Sequence, residues 1–253
     1  MPTDPVQPER PWPQGYDFIE RDSVDSTMAE AARLANQLDR PTWILAHRQT
    51  AAKGRQGRAW SNPNGNFAAT LLMRPTGSAA EAALRSFLAA NALLETLSQY
   101  VDPARLSQKW PNDVLLDGGK IAGILLESMA DGHGVAWLSI GIGVNLCAAP
   151  DLPDAAFAPT ALSQATGQVL GASEFLQGLA ASFAHQEAVF AREGFAPLRQ
   201  TWLNKAARLG EVITARTPRE DISGIFETID AHGSLILNTP QGPRPIPAAD
   251  IYF

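Results

Sequence analysis

The stretch Lys109-Trp110-Pro111-Asn112-Asp113-Val114-Leu115-Leu116-Asp117-Gly118-Gly119 decides the fold, because it joins two short apolar strands and ends in a turn. The closing Asp-Gly-Gly is a hairpin signal, so residues 120–128 should return as a further strand. Residues 105–110 form the incoming strand, and a second turn at 131–134 leads into a strand over 135–140. The middle of the chain is therefore predicted to be a run of paired strands.

Helical patterns lie on both sides of these strands. Thr27-Met28-Ala29-Glu30 has capping-box spacing and predicts a helix to about residue 38, before strands at 42–46 and 66–73. Residues 79–100 are rich in Ala and Leu, which predicts a buried helix, and 172–192 show helical spacing of apolar residues. The pattern predicts an α/β (α+β) fold with a mixed sheet flanked by helices.

The last part of the chain has a different texture. Short strands at 211–217, 224–230, 234–238 and 244–251 are separated by Gly and Pro turns, which suits a small β-barrel. The first fourteen residues contain five prolines and predict a disordered tail. We therefore expect a tail over 1–15, a main domain over 16–204 and a β-barrel domain over 205–253.

Composition excludes several classes of protein. The 253 residues are 45% hydrophobic and can bury a full core, but they contain no apolar run of the roughly 18 residues that a membrane span needs. No secretory signal is visible, and a single cysteine, Cys147, rules out an internal disulfide and a cysteine zinc cluster, so a cytoplasmic location is expected. A net charge of -6 argues against a sequence-independent grip on nucleic acid.

The charge is unevenly distributed along the chain. Residues 40–80 contain no Asp or Glu, yet six cations fall there: Arg40, Arg48, Lys53, Arg55, Arg58 and Arg74. Within this segment, glycines in the loop from Gln49 to Trp60 allow backbone N–H groups and guanidinium groups to surround an anion. The pattern indicates a small anionic ligand, although a solvated basic surface loop is the alternative.

Two further strings could carry chemistry. Pro111 fixes the backbone beside Lys109 and Asp113, and a carboxylate next to a triphosphate can help to hold Mg²⁺. The alternative is a surface lysine and an Asx turn. Gly141-Ile142-Gly143-Val144-Asn145 should follow a strand and let a ligand approach the backbone, but Gly-x-Gly alone is a weak phosphate signal.

Taken in order, these strings resemble the motif set of bacterial biotin–protein ligases. The motifs are the basic glycine loop, Lys-Trp-Pro-Asn-Asp, Lys-Ile-Ala-Gly-Ile-Leu-Leu-Glu over 120–127 and Gly-Ile-Gly-Val-Asn, and the Ser26-Thr27 pair also matches. The resemblance runs from about residue 25 to the C-terminus. It implies a class II synthetase-like ligase domain followed by an SH3-like β-barrel. One departure is that the family loop usually begins Gly-Arg-Gly-Arg, whereas this one begins Ala52-Lys53-Gly54-Arg55.

The resemblance also implies a role for each matching residue. Lys109 and Arg55 would be catalytic, and Asp113 would be a ligand of Mg²⁺. Biotin binding would involve Ser26, Thr27, Gln49, Lys53, Gly54, Arg55, Lys109, Gly123 and Gly143. ATP binding would involve Arg58, Trp60, Asn112, Asp113, Lys120 and Asn145.

The implied reaction is ATP-dependent formation of biotinyl-5'-AMP and transfer of biotin to a lysine of a biotin carboxyl carrier protein. ATP and Mg²⁺ would be co-substrates, without a prosthetic group, and the enzyme would be a monomer or a homodimer. The rival enzyme is a lipoate ligase or octanoyltransferase of similar fold. A biotin-sensing DNA-binding repressor is the rival from another class, but fewer than twenty residues precede the catalytic region, too few for a helix-turn-helix domain.

Overall fold

The computed structural model describes residues 11–130, 134–152 and 157–252. Seven strands form the main sheet in the order β1-β2-β3-β7-β6-β5-β4, and β1 and β2 are parallel while all other neighbours are antiparallel. The strands are β1 (Asp17–Val24), β2 (Thr42–Gln49), β3 (Phe67–Met73), β4 (Leu106–Lys109), β5 (Asp113–Leu116), β6 (Gly119–Ala130) and β7 (Val135–Val144). The predicted mixed sheet is confirmed.

Helices cover both faces of this sheet. They are α1 (Thr27–Leu34), α2 (Ala79–Ala83), α3 (Arg85–Leu97), α4 (Leu162–Thr166), α5 (Ala172–Glu193) and α6 (Phe195–Leu203). On one face α3 packs against α5, and Trp43 of β2 meets Phe183 of α5 edge to face at 5.9 Å. Ile44, the next residue on β2, packs instead with Ala31 of α1. Because successive strand residues point to opposite faces, α1 lies on the other side of the sheet.

The C-terminal part is a five-stranded antiparallel sheet in the order β11-β10-β9-β8-β12. Its strands are β8 (Val212–Arg216), β9 (Asp221–Ile229), β10 (Leu235–Thr239), β11 (Gly242–Ile246) and β12 (Asp250–Tyr252). Trp202 of α6 packs on Phe226 with ring centroids 6.4 Å apart, and Trp110 Nε1 donates to the Gly233 carbonyl at 3.0 Å. The two sheets therefore share one continuous hydrophobic core.

Several predicted boundaries were wrong. The residue that caps α1 is Ser26, whose Oγ accepts from Ala29 N at 3.1 Å, and the helix ends at Leu34 rather than near residue 38. The single helix expected over 79–100 is two helices, because the chain bends at Leu84. The strand expected to stop at 140 continues to Val144, since Gly141 and Gly143 are paired on both sides with β3 and β6.

Other differences lie at the chain ends. The strand β1 was not predicted, and the strand expected over 244–251 is divided into β11 and β12. Residues 11–15, assigned to the tail, belong to the folded part, because Trp12 packs on Phe18 and donates from Nε1 to the Tyr16 carbonyl at 2.9 Å. Residues 1–10 of that tail and 131–133 of the second turn lie outside the described residues. In the part of the chain that is described, no helix has the length and apolar character to cross a membrane.

Candidate active site

A cavity of about 520 Å³ opens on the sheet face that carries α1. Strand alternation creates it. Ile140 and Ile142 of β7 point into the core, so Gly141 and Gly143 between them point to the opposite face and leave space there. Every residue that the sequence assigned to a ligand lines this cavity: Ser26, Thr27, Gln49, Lys53, Gly54, Arg55, Arg58, Trp60, Lys109, Asn112, Asp113, Lys120, Gly123, Gly143 and Asn145.

One end of the cavity is a polar corner at the start of α1. Gln49 Oε1 accepts hydrogen bonds from Thr27 N at 2.8 Å and from Thr27 Oγ1 at 3.2 Å. Thr70 Oγ1 donates to Thr27 Oγ1 at 2.8 Å, and Ser26 is held as the cap of the helix. These bonds fix the side chains before any ligand binds, which favours recognition of a small polar group.

The floor of the cavity is the pair of strands β6 and β7. A Cβ at Gly143 would lie 2.6 Å from atoms of the Trp60 ring, and one at Gly123 would lie 3.1 Å from it. Sequence reasoning assigned these glycines to the approach of biotin, whereas the group that approaches them here is the indole of Trp60. At Gly141 the corresponding neighbour is Met28 Sδ, at 2.7 Å. The absence of side chains on the floor therefore makes room for Trp60 and Met28.

A buried ionic cluster lies beside this floor. Lys109 ends β4 and is paired in register with Asp113, which is paired with Gly123. Asp113 Oδ1 lies 2.7 Å from Lys120 Nζ, and its Oδ2 lies 3.7 Å from Lys109 Nζ. Burial lowers the pKa of Lys109, and the neighbouring Asp113 carboxylate opposes this shift. One carboxylate thus faces two ammonium groups, which leaves the cluster with a net positive charge.

The cationic loop closes one side of the cavity. Lys53 and Ala59 form an isolated antiparallel bridge, and Gly54 N donates to the Arg58 carbonyl at 2.8 Å, so the loop folds back on itself. Gln56 sits in the left-handed region with φ of 56°. The tight turn between the two arginines directs Arg55 and Arg58 toward one side of the loop.

Both arginines contact the C-terminal sheet. Arg55 donates to Asn112 Oδ1 and to the Ala249 carbonyl, each at 3.3 Å, and Arg58 makes a short ion pair with Asp250. Partial burial raises the pKa of Asp250, but the hydrogen bond from Arg58 and the charges of Arg58, Arg55 and Lys109 outweigh it, so the pKa lies below its ordinary value. Asp250 therefore presents an ionised carboxylate to the loop.

Asn145 and Asn112 are held by the backbone around the cavity. Asn145 is buried, and its Nδ2 donates to the carbonyls of Thr160 at 3.0 Å and Lys120 at 3.3 Å. Asn112 Nδ2 donates to the Ile124 carbonyl at 2.6 Å. Both amides therefore shape the cavity wall, and their contact with ATP stays a prediction.

Sequence reasoning missed several lining residues. Asp250 and Tyr252 lie in the last strand, and Leu152 and Phe157 lie in the segment predicted only as a loop. None of them belongs to a motif, and their chain distance from the other lining residues hides their position. Among the described residues, no three His, Cys, Asp or Glu side chains are grouped to hold a metal ion.

Comparison with known proteins places the chain in a family. Residues 18–145 match the Biotin/lipoate A/B protein ligase family, and residues 209–253 match the Biotin protein ligase C terminal domain. The chain is 51% identical over 234 residues to the biotin–[acetyl-CoA-carboxylase] ligase of Paracoccus denitrificans. The aligned region covers 91% of this chain and 98% of that relative. The chain belongs to the biotin/lipoate A/B protein ligase family. The predicted relationship to biotin–protein ligases is confirmed.

More distant relatives agree with this assignment. The bifunctional ligase/repressor BirA of Bacillus subtilis is 33% identical over 241 residues, which covers 94% of this chain and 74% of the relative. Among solved structures, a biotin protein ligase from Aquifex aeolicus in complex with biotin and ATP superposes with a TM-score of 0.78. It is 24% identical, covering 93% of this chain and 97% of that one, so this likeness shows the fold.

Proposed function

We propose that this family member uses ATP to activate biotin and transfers the biotin to a lysine of a biotin carboxyl carrier protein or domain. The observation that carries the proposal is the convergence of Lys109, Lys120, Arg55 and Arg58 on one cavity. Joining a carboxylate to ATP requires two anions to meet, and fixed cations in a partly desolvated site lower their mutual repulsion.

The geometry suggests how the two substrates divide the cavity. The polar corner at Ser26, Thr27 and Gln49 suits the neutral, hydrogen-bonding ring system of biotin. The biotin carboxylate would then extend past Met28 and Trp60, which cover the glycine floor, toward Lys109. The phosphates and adenosine of ATP would occupy the opposite half, beside the residues assigned to it: Arg58, Trp60, Asn112, Asp113, Lys120 and Asn145.

In the first step a biotin carboxylate oxygen attacks the α-phosphorus of ATP. A new P–O bond forms, the bond from the α-phosphorus to the bridging oxygen breaks, and pyrophosphate leaves with that electron pair. Lys109 would hold the attacking carboxylate against the α-phosphate, and Arg55 would stabilise the developing charge. The product is the mixed anhydride biotinyl-5'-AMP.

Mg²⁺ fits the donor set of this half of the cavity. Asp113 and Asp250 both line it, and Mg²⁺ binds through one or two carboxylates together with phosphate oxygens. Asp113 would hold the ion, which when bound neutralises phosphate charge. Lys120, now 2.7 Å from Asp113, would be free to turn toward a phosphate.

In the second step the neutral amine of the acceptor lysine attacks the anhydride carbonyl. An amide bond forms, the carbonyl–phosphate oxygen bond breaks, AMP leaves with the electron pair, and the amine proton passes to solvent. No covalent bond to the enzyme is needed. Closure of the cationic loop, which contains Arg55, would exclude water from the anhydride. The match of residues 209–253 to the Biotin protein ligase C terminal domain favours biotin over lipoate as the substrate.

The test is transfer of labelled biotin to a purified biotin carboxyl carrier domain, with ATP and Mg²⁺ present or each omitted. We expect label on the carrier only in the complete mixture, together with stoichiometric pyrophosphate. Lipoate in place of biotin is the matched control. Equal transfer of lipoate, or transfer of biotin without ATP, would refute the proposal.

A further inference from the structure

Phe157 contacts the buried ammonium of Lys109. The Lys109 Nζ lies 4.1 Å from the centroid of the Phe157 ring, and both residues line the cavity. Only 8% of the Lys109 surface is exposed. Its ion-pair partner is Asp113, whose nearest oxygen is 3.7 Å away, beyond hydrogen-bond distance. The ring and this carboxylate thus lie at similar distances from the ammonium, 4.1 Å and 3.7 Å.

The segment that carries Phe157 is anchored to the same strand as the ionic cluster. Lys120 N donates to the Ala158 carbonyl and Thr160 N donates to the Lys120 carbonyl, both at 3.0 Å, which forms a parallel bridge between Lys120 and Pro159. Lys120 in turn contacts Asp113. The backbone beside Phe157 is thus tied to the cluster that contains Lys109, and the position of the ring depends on that tie.

A lysine needs such a contact to act at a defined point. Its ammonium is a compact charge on a flexible four-carbon stem, so an ion pair at one side leaves it free to swing. A cation over an aromatic face is attracted by the ring quadrupole, and the attraction grows when water is excluded. A ring face and a carboxylate that both contact the ammonium restrict its position more than the carboxylate alone.

We propose that Phe157 is a positioning residue, whose ring face holds the Lys109 ammonium where the biotin carboxylate meets the α-phosphate. This inference rests on the proposed function. It assigns a role to the segment after β7, in which the sequence showed no motif. The ring acts through Lys109, so its loss should slow the first step and leave binding of the carrier domain unchanged.

The test replaces Phe157 by phenylalanines with one, two and three ring fluorines. Fluorination barely changes ring size but withdraws charge from the face, so the rate of biotin- and ATP-dependent pyrophosphate release should fall stepwise. We expect about a tenfold loss of kcat across the series, the size of a partly desolvated cation–π contact. The KM for the carrier domain should stay at the parent value. The same substitutions at Phe18, whose ring lies outside the cavity, are the control and should leave kcat unchanged.

A second measurement detects the contact between Phe157 and Lys109 independently of enzymatic activity. The Lys109 side-chain methylene protons next to Nζ should show an upfield NMR shift from the ring current of Phe157, and Phe157→Leu should abolish it. A flat kcat across the fluorinated series, or parent and Phe157→Leu spectra without a difference at Lys109, would overturn the inference. An inactive parent enzyme would instead refute the proposed function, so the two failures are distinguishable.

Discussion

Lys109 carries a charge at a buried position. Burying a charge costs free energy unless the charge is paired and hydrogen-bonded. The Lys109 ammonium lies 4.1 Å from the centroid of the Phe157 ring and 3.7 Å from Asp113 Oδ2, which is too long for a direct hydrogen bond. Burial lowers the pKa of Lys109 while Asp113 opposes the shift. A desolvated cation of this kind interacts strongly with an incoming anion, because little water has to be displaced.

Lys109→Ala should lower the rate of adenylate formation by about a hundredfold or more, the scale of losing a preorganised charged contact. The fold should survive, since the lysine stands at a strand end rather than within the apolar core. The measurement is biotin-dependent pyrophosphate release, with thermal melting as the check on folding. Lys205→Ala removes a half-buried lysine outside the cavity and is the control. Parent-level release by Lys109→Ala would contradict this role.

A substitution at Gly143 tests whether the floor of the cavity, formed by β6 and β7, must lack side chains. A Cβ there would lie 2.6 Å from three atoms of the Trp60 ring, so Gly143→Ala should push the indole into the cavity and weaken biotin binding by tenfold or more, about 1.4 kcal/mol. Calorimetric titration with biotin measures the effect. Gly171→Ala is the matched control, because a Cβ there meets nothing within 4 Å. Unchanged affinity in Gly143→Ala would show that the ring moves aside freely.

At the scale of elements, the cationic loop is predicted to act as a lid, and both of its arginines, Arg55 and Arg58, already contact other parts of the protein. Arg55 bonds to Asn112 and to the Ala249 carbonyl, which joins the loop to the turn between β4 and β5 and to the C-terminal sheet. The resemblance assigned Arg55 to the mixed anhydride. The structure adds two protein contacts, so loss of the side chain should loosen the lid even before ligand binds.

Arg55→Gly should therefore release biotinyl-adenylate sooner. Each lost hydrogen bond to a charged group costs roughly 1.5–3 kcal/mol, which predicts escape that is faster by about one to two orders of magnitude. Because the free anhydride acylates amines, serum albumin in the mixture should become biotinylated. Arg219→Gly, at an exposed turn, is the control. A mutant that makes adenylate but labels albumin no more than the parent would exclude the lid role.

The elements that sequence predicted well are those with a strong local signal. The strand over 113–116 was placed without error, and α5 was placed to within a residue, because an Asp-Gly-Gly turn and apolar helical spacing are local properties. The strand β1 was missed because it is an edge strand with alternating exposure and several charged residues. The extension of β7 through Gly141 and Gly143 depends on two neighbouring strands, which local reasoning does not see.

The site divides in the same way. Motif residues such as Lys109 and Asp113 were found from the sequence, and the structure brings them into one cavity. Asp250 and Phe157 were not found, because each reaches the cavity only through the packing of a distant segment. The binding of biotin and ATP by these residues stays a prediction, which the variants above test.

At the scale of the whole molecule, charge limits the partners. The chain carries a net charge of -6, and two cations of the loop, Arg55 and Arg58, contact Asn112 and Asp250 around the cavity. We predict no tight DNA binding at physiological salt, since such binding depends on many free cations at phosphates. Fluorescence anisotropy with promoter fragments, with and without biotinyl-adenylate, measures it. Salt-resistant binding to any fragment would contradict the prediction.

The C-terminal sheet should contribute to catalysis through Asp250, although the motif residues all precede it. This carboxylate pairs with Arg58, lies 3.9 Å from Arg55 and lines the cavity. Its pKa lies below the ordinary value of 3.8, so the pairing persists above that pH and is lost only as the pH falls further, through the folded-state pKa. The hold on the lid is therefore constant around neutrality.

Asp250→Asn keeps the shape of the side chain but removes the charge that holds both arginines. We expect faster release of biotinyl-adenylate and more labelling of albumin than with the parent, but less than with Arg55→Gly, because the bonds from Arg55 to Asn112 and to the Ala249 carbonyl remain. The excess labelling should be the same at mildly acidic and mildly basic pH, since the carboxylate does not titrate there. Asp221→Asn breaks an exposed pair with Arg216 in the same sheet and is the matched control. If the Asp250→Asn and Asp221→Asn enzymes label albumin equally, the C-terminal sheet does not hold the loop closed. Its contact with the loop would then have no effect on release of biotinyl-adenylate.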